Sequence, residues 1–347
     1  MKRKLADMKK QTLFVAGVAA ALGLSACGLG ESAVSGGSSG DGDSLTIAGT
    51  LPANTAMIEG AERISDSLDA SDVDLAGDVY SDGQLGGEPE MMDALETGTV
   101  DIAMVGVPLV AQHCAALGMN ALPYVIQGDD PEEQYENLQK ITDSELHQQA
   151  VEECAEETGY RVIDASWWYG NRELTSNKEI HSVADMKGLK VRTPEGSLHS
   201  KPFEVLGADP VPMAQDEVYT ALETGVIDAQ ENPFATIAKF SFEDVQDYLV
   251  LTSLMTHNQA LVMWEDTYQD LSEDQQEALL SAVDEAGQWQ SEEQLNENAE
   301  LRDKLEENGI EIIEPDLDEF TEATRDFVEE YFDDNDLDFE EYLAIQE

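Results

Sequence analysis

Two arginines hold the clearest chemistry in this sequence. Arg172 follows Trp167-Trp168-Tyr169-Gly170-Asn171, and Arg192 stands in Gly188-Leu189-Lys190-Val191-Arg192-Thr193-Pro194. A guanidinium offers parallel N–H donors that match a carboxylate edge, where a lysine offers only a point charge. Aromatic neighbours that exclude water strengthen such a contact. The surrounding composition makes any retained cation informative. The 347 residues include 18 Lys+Arg against 74 Asp+Glu, a net charge of −56. Six of the cations (Arg172, Lys178, Lys187, Lys190, Arg192 and Lys201) lie within one thirty-residue window. The four lysines read as surface partners for the abundant acids. For the two arginines, composition alone leaves surface pairing and anion capture evenly balanced.

Chemistry of other kinds finds little support. Such negative charge repels phosphates and anionic headgroups, so no nucleic-acid partner is expected. A hydrophobic content of 41% with regular periodicity argues for a folded chain rather than disorder. A solvated acidic coat of this size fits a halophilic, high-salt source. His113, His147, His181, His199 and His257 are scattered and read as structural or solvated. The sequence has no His-Glu-x-x-His, no Gly-x-Ser-x-Gly and no phosphate loop. Ser197 and His199 lack an orienting third group. No enzymatic activity, metal or cofactor is expected.

The N-terminus sets the compartment. Lys2, Arg3, Lys4, Lys9 and Lys10 precede an apolar run at 13–24, which suits a signal-peptide core and is too short to span a bilayer. The run ends in Leu24-Ser25-Ala26-Cys27, which resembles the lipobox of bacterial lipoproteins. That resemblance implies a signal peptide over 1–26, lipidation of Cys27, and an extracytoplasmic chain anchored to the membrane. Residues 1–26 carry five basic and one acidic residue, so their loss takes the net charge from −56 to −60. Residues 27–43, rich in Gly, Ser and Asp, read as a flexible tether. Cys114 and Cys154 form one disulfide outside the cytoplasm or stay as two buried thiols, and the sequence does not choose between these.

About 300 residues remain, too many for one ordinary core and suited to two lobes. A repeat supports this. Residues 91–104 read MMDALETGTVDIAM and residues 218–231 read VYTALETGVIDAQE. In each, apolar residues at helical spacing lead to a glycine, Gly98 or Gly225, suited to a left-handed helix end, and then to a strand. Helices alternating with short apolar strands predict an α/β sheet in each lobe, with ligands at the carboxyl ends of strands. Residues 45–51 read as the first strand, 57–68 as a helix, 160–168 as a strand leaving one lobe, and 190–192 as a short strand. Ser272 with Gln275 forms a capping box. The helix it opens runs to about Asn308, kinked or broken near Gly287. At ~1.5 Å per residue it is long enough to brace both lobes. Phe320, Phe327, Tyr331 and Phe332 are the packing anchors of the acidic C-terminus. Lobe I is assigned to 44–169 plus about 258–297, and lobe II to 170–257 plus about 298–347.

The stretch 168–252 resembles the solute-binding subunit of tripartite ATP-independent periplasmic (TRAP) transporters, of the dicarboxylate-binding type. The resemblance rests on GNRELTSN (170–177), ADMKGLKVRTP (184–194), LGADPVPMAQDEVYTALETGVIDAQENP (206–233) and EDVQDYLVLT (243–252). Weaker pieces are GQLGGEPEMMDALETG (83–98) and ALPYVI (121–126). It implies an α/β, two-lobed periplasmic-binding-protein (Venus flytrap) fold with a long helix across both lobes. It also implies no catalysis, and partnership with a TRAP permease of membrane subunits. Arg192 would hold the ligand carboxylate and Arg172 would assist from the cleft wall. Asn232 would hydrogen-bond the ligand, and Gln215, Thr50 and Glu88 would line the cleft.

Alternation sends one of Trp167 and Trp168 to the core, and Trp168 is assigned to the cleft. Gln215 stands where related proteins often carry an aromatic ring. Glu195 adds a negative charge near the arginine clamp, and with Glu88 it suits an amine or hydroxyl of the ligand. Gly106 is bare where sialic-acid binders resemble one another in carrying an acid, which speaks against sialic acid. The expected ligand is a small carboxylate-bearing solute, a C4-dicarboxylate or another organic acid. A zwitterionic compatible solute such as ectoine, or service to an ATP-driven importer, are the alternatives. A monomer is expected.

Overall fold

The computed structural model describes residues 43–194 and 196–347. The expected signal peptide, Cys27 and nearly all of the expected tether lie outside these residues, as does Glu195. Eleven strands run along the described chain: β1 (Asp43–Ala48), β2 (Leu75–Tyr80), β3 (Ile102–Gly106), β4 (Tyr160–Asn171), β5 (Glu173–Ser176), β6 (Lys190–Thr193), β7 (Asp209–Pro212), β8 (Ala229–Asn232), β9 (Tyr248–Val250), β10 (Thr256–Trp264) and β11 (Glu311–Ile313). They form two sheets, ordered β2-β1-β3-β10-β4 and β11-β9-β5-β8-β6-β7. In the first, β1 runs parallel to β2 and β3, and β10 runs antiparallel to β3 and β4. In the second, β6 is parallel to β7 and β8, while β5 is antiparallel to β8 and β9.

Successive residues of a pleated strand serve opposite faces. Ile47, Met104, Trp167 and Leu261 join one buried cluster; Ala48, Val105, Trp168 and Val262 join another. A sheet with apolar cover on both faces buries adjacent strand residues together. Trp168 is therefore fully buried in the core, just as Trp167 is.

The repeat appears once in each sheet. Helix Glu88–Glu96 leads through Gly98, at φ 67°, into β3, and helix Val218–Glu223 leads through Gly225, at φ 70°, into β8. Helix Ala56–Ala70 starts at Thr55, whose hydroxyl accepts the Ile58 N–H, and buries Met57, Ile58, Ala61, Ile64 and Leu68 at helical spacing. The capping box at Ser272 and Gln275 is formed in full. Its helix runs unbroken over Glu273–Glu307, 35 residues. Gly287 is not a kink. It is the point where the Trp167 indole lies against the helix backbone, and a methyl group there would overlap the ring. Close approach, rather than flexibility, explains this glycine.

The chain leaves the first sheet at Arg172, returns between β9 and β10, and leaves again along the long helix toward β11. The first two crossings are tied together. The Arg172 N–H donates to the Met255 carbonyl at 2.9 Å, and the Thr256 hydroxyl donates to Asn171 Oδ1 at 3.1 Å. Helix Leu317–Asp334 joins the lobes a further time. Phe320 packs in a cluster of the second lobe, whereas Val328, Phe332 and Tyr342 pack in a cluster of the first. The C-terminal segment is thus shared between lobes rather than confined to lobe II. Cys114 and Cys154 form a disulfide, with Cα atoms 5.4 Å apart.

Candidate functional site

Arg192 lies on β6 and is only 3% exposed. Its Nε and Nη2 donate to the Met213 carbonyl at 3.1 and 2.8 Å, while Nη1 is buried with no partner among the described residues. Among the described residues no carboxylate forms an ion pair with it. Burial, helped by the nearby Arg172 charge and opposed by Glu231, brings its pKa down to about 10. At neutral pH it therefore remains a buried cation without a bonded counter-charge.

Arg172 is equally buried, yet its position differs. It makes a two-point contact with the Glu231 carboxylate, through Nε to Oε2 and through Nη2 to Oε1 at 2.8 Å. Nη2 also donates to the Glu231 carbonyl at 2.9 Å and to Asn232 Oδ1 at 3.3 Å. Nη1 meets His257 Nδ1. Glu231 is 0% exposed. Burial pushes its carboxyl up, and the Arg172 and Arg192 guanidiniums oppose that shift. A bidentate contact to an always-charged guanidinium favours the ionised form, so the two charges cancel and Arg172 is occupied by its own protein.

The first lobe supplies the facing wall. Glu88 stands in the first turn of its helix and accepts the Gly106 N–H at 3.2 Å. The residue keeps some exposure, but its carboxyl is enclosed. Burial pushes it up, against the Gly106 bond and the Arg172 charge. A Cβ built on Gly106 would lie 3.7 Å from His257 Nε2 and 3.8 Å from Glu88 Oε2, which brings those groups together over a bare backbone. Because Arg172 donates to Nδ1, the His257 proton sits on Nε2. Gln259 Nε2 lies 3.3 Å from that ring nitrogen, and Gln259 Oε1 is buried with no partner among the described residues. Thr50, just after β1, lines a small cavity with Gln259, Met104 and Gly49.

Of the residues marked in the sequence, Arg172 contacts Glu231 and Asn232, Arg192 lies close enough to feel the Glu231 charge, and Glu88 feels the Arg172 charge from the first lobe. Gln215 follows Met213, the residue bonded by Arg192, and its Nε2 is buried without a partner. Trp168 is in the core. Three site members escaped the sequence reading. Glu231 adjoins Asn232 in Gln-Glu-Asn-Pro, the segment already marked for Asn232, and that adjacency was its available signal. His257 gave none, because only the lobe crossing before β10 brings it to Arg172, and His199, seven positions after Arg192, was read as one of the scattered histidines. His199 is 7% exposed, with Nδ1 3.9 Å from Glu231 Oε1 and unpartnered. Burial and the charges of Arg172, His257 and Arg192 hold its pKa well below the usual histidine value, so it is neutral.

The family model for bacterial extracellular solute-binding proteins, family 7 (DctP), matches residues 47–335. The chain is 30% identical over 274 residues to the sialic acid-binding periplasmic protein SiaP of Vibrio cholerae, covering 78% of this chain and 83% of that one. It is 31% identical to the 2,3-diketo-L-gulonate-binding periplasmic protein YiaO of Escherichia coli, covering 73% and 76%. A solved TRAP periplasmic solute-binding protein from Roseobacter denitrificans, with bound L-galactonate, matches at TM-score 0.74 and 30% identity, covering 85% of this chain and 100% of that one. The two-lobed α/β architecture is that of periplasmic binding proteins. The likeness extends to sugar-acid binders, so a dicarboxylate-binding type is narrower than these matches support.

Proposed function

This chain belongs to the bacterial extracellular solute-binding proteins of family 7, and on that premise we propose that it captures a small organic acid with a single carboxylate for a TRAP permease. The observation that carries the reading is Arg192, a buried guanidinium without an ion-pair partner among the described residues, in a protein of net charge −56. Leaving a cation so placed is costly unless an anion joins it. Arg172 does not add a second free charge, because Glu231 cancels it. One uncompensated cation suits one carboxylate, which favours another organic acid over a C4-dicarboxylate, the two ligand types expected from the sequence. Glu88, Asn232 and the Gln259 amide suit hydroxyl or carbonyl groups on the remainder of the ligand.

The polar groups come from both lobes, so a ligand that contacts them all favours the closed arrangement. A zwitterionic compatible solute fits less well. Its cationic end would need Glu88 ionised, and burial works against that. The matched relatives do not favour an ATP-driven importer. The Leu24-Ser25-Ala26-Cys27 box supports anchoring outside the cytoplasm through Cys27, and a monomer is the form we expect to meet the permease.

Native mass spectrometry of the purified protein identifies the bound acid, and calorimetry with wild type and Arg192→Ala then tests the site. Removing one partner of a buried charge pair costs ~2–5 kcal/mol, roughly 30- to 5,000-fold in affinity. A folded Arg192→Ala that binds the acid as well as wild type ends the proposal.

A further inference from the structure

Beside the arginines sits another buried polar atom that no described residue satisfies. His199 projects from helix Ser197–Val205, which directly follows the strand bearing Arg192. The Thr193 and Ser200 hydroxyls, 3.0 Å apart, fasten the start of that helix to the end of the strand. Arg192 Nη1 and His199 Nδ1, both buried and unpartnered, therefore stand on one rigid strand–helix unit. The same ring nitrogen lies 3.9 Å from Glu231 Oε1, beyond hydrogen-bond reach. A buried polar atom without a partner is disfavoured. Two of them on one unit, a cationic donor and a neutral imidazole, describe what they are shaped to meet: a carboxylate and an oxygen close to it.

We propose that His199 reads the substituent on the carbon next to the ligand carboxylate, and that the ligand is a 2-hydroxy monocarboxylic acid. This rests on the assignment of the carboxylate to Arg192 and deepens it. A hydroxyl can donate or accept, so it pairs with neutral imidazole in either tautomer. The ring stays neutral through burial and the surrounding cations, so it does not add a second charge to attract a second carboxylate. Sites built to bond a ligand hydroxyl reject the analogue that lacks it, because the buried partner is then left unpaired.

The test is a calorimetric panel of matched acids: D-gluconate with 2-deoxy-D-gluconate, lactate with propionate, and succinate. Wild type should prefer the hydroxylated member of a pair by tenfold or more. His199→Ala should bring that ratio close to one, and His199→Asn, which restores a polar group, should recover part of it. Thermal unfolding of each variant checks that the fold is retained. Equal affinity within pairs for wild type, or an unchanged ratio in His199→Ala, overturns the role of His199 while leaving Arg192 as the carboxylate site. Succinate as the tightest ligand, or a co-purified acid without a 2-hydroxyl, overturns the ligand class. Loss of pair discrimination without loss of binding in His199→Ala supports it. If Arg192→Ala binds every acid as wild type does, the carboxylate assignment itself fails and this inference falls with it.

Discussion

The charge balance of the site turns on Glu231, and Glu231→Gln is the most direct perturbation of it. The amide keeps the shape of the side chain and one acceptor oxygen, but removes the negative charge that faces Arg172 through Nε and Nη2. Both partners are buried, Arg172 at 3% and Glu231 at 0% exposure. Breaking a buried pair from one side leaves an uncompensated charge and costs ~3–5 kcal/mol, whereas a surface pair is worth at most ~1 kcal/mol. Against a typical domain stability of ~5–15 kcal/mol, the variant should still fold. Urea unfolding at pH 7.5 without ligand reads the loss. A second measurement follows from the same change: with Arg172 released, the site carries two uncompensated cations. The affinity of succinate relative to D-gluconate should then rise at least tenfold over wild type. A destabilisation below about 1 kcal/mol with an unaltered ratio would refute the reasoning, because Arg172 would then owe neither its charge balance nor its placement to Glu231.

Two further predictions concern the frame around the site. Glu173, 3% exposed, accepts the Ser253 N–H at 2.8 Å and the Ser253 hydroxyl at 2.9 Å, and burial pushes its carboxyl up to about 7 against those bonds and the Arg302 charge. The native state holds this proton more tightly than the unfolded chain, so its contribution to stability falls as pH rises from the unfolded value through about 7. Relative to wild type, Glu173→Gln should gain about 2–3 kcal/mol between pH 5 and pH 8; a flat difference in unfolding free energy would show that the carboxyl titrates normally. The Cys114–Cys154 disulfide closes a sequence separation of 40 residues. Its reduction should lower the unfolding free energy by ~3–4 kcal/mol, and an unmoved urea midpoint after reduction would contradict this.

Local signals in the sequence were reliable where a local cause sufficed. Gly98 and Gly225 mark helix ends because a positive φ is a property of one residue. The Ser272 and Gln275 box marks a helix start because both partners lie within one turn. Gly287 was misread for the same reason in reverse: its cause is the Trp167 ring, 120 positions away, which no local pattern records. Trp168 was assigned by alternation, which separates inside from outside only when one face of a sheet meets solvent. Both faces of β4 are covered. Arg192 stood out because a cation is rare here, while His257 did not, since its meaning depends on the chain crossing that sets it against Arg172, and His199 did not, since burial of its ring beside Glu231 is a tertiary contact.

The acidic coat and the cationic site work at different ranges. A ligand anion approaching a protein of net charge −56 meets repulsion over about a Debye length, ~8 Å at physiological ionic strength and ~3 Å at 1 M salt. Buried charges are screened far less, so added salt weakens the coat without weakening Arg192 in proportion. High salt therefore lowers the barrier to arrival more than it loosens the held carboxylate. The two halves of the composition are consistent on this basis. The surface carries the acid, and the place where we propose an anion rests has its cation withdrawn from solvent, where Met213 orients it and Glu231 neutralises its arginine neighbour.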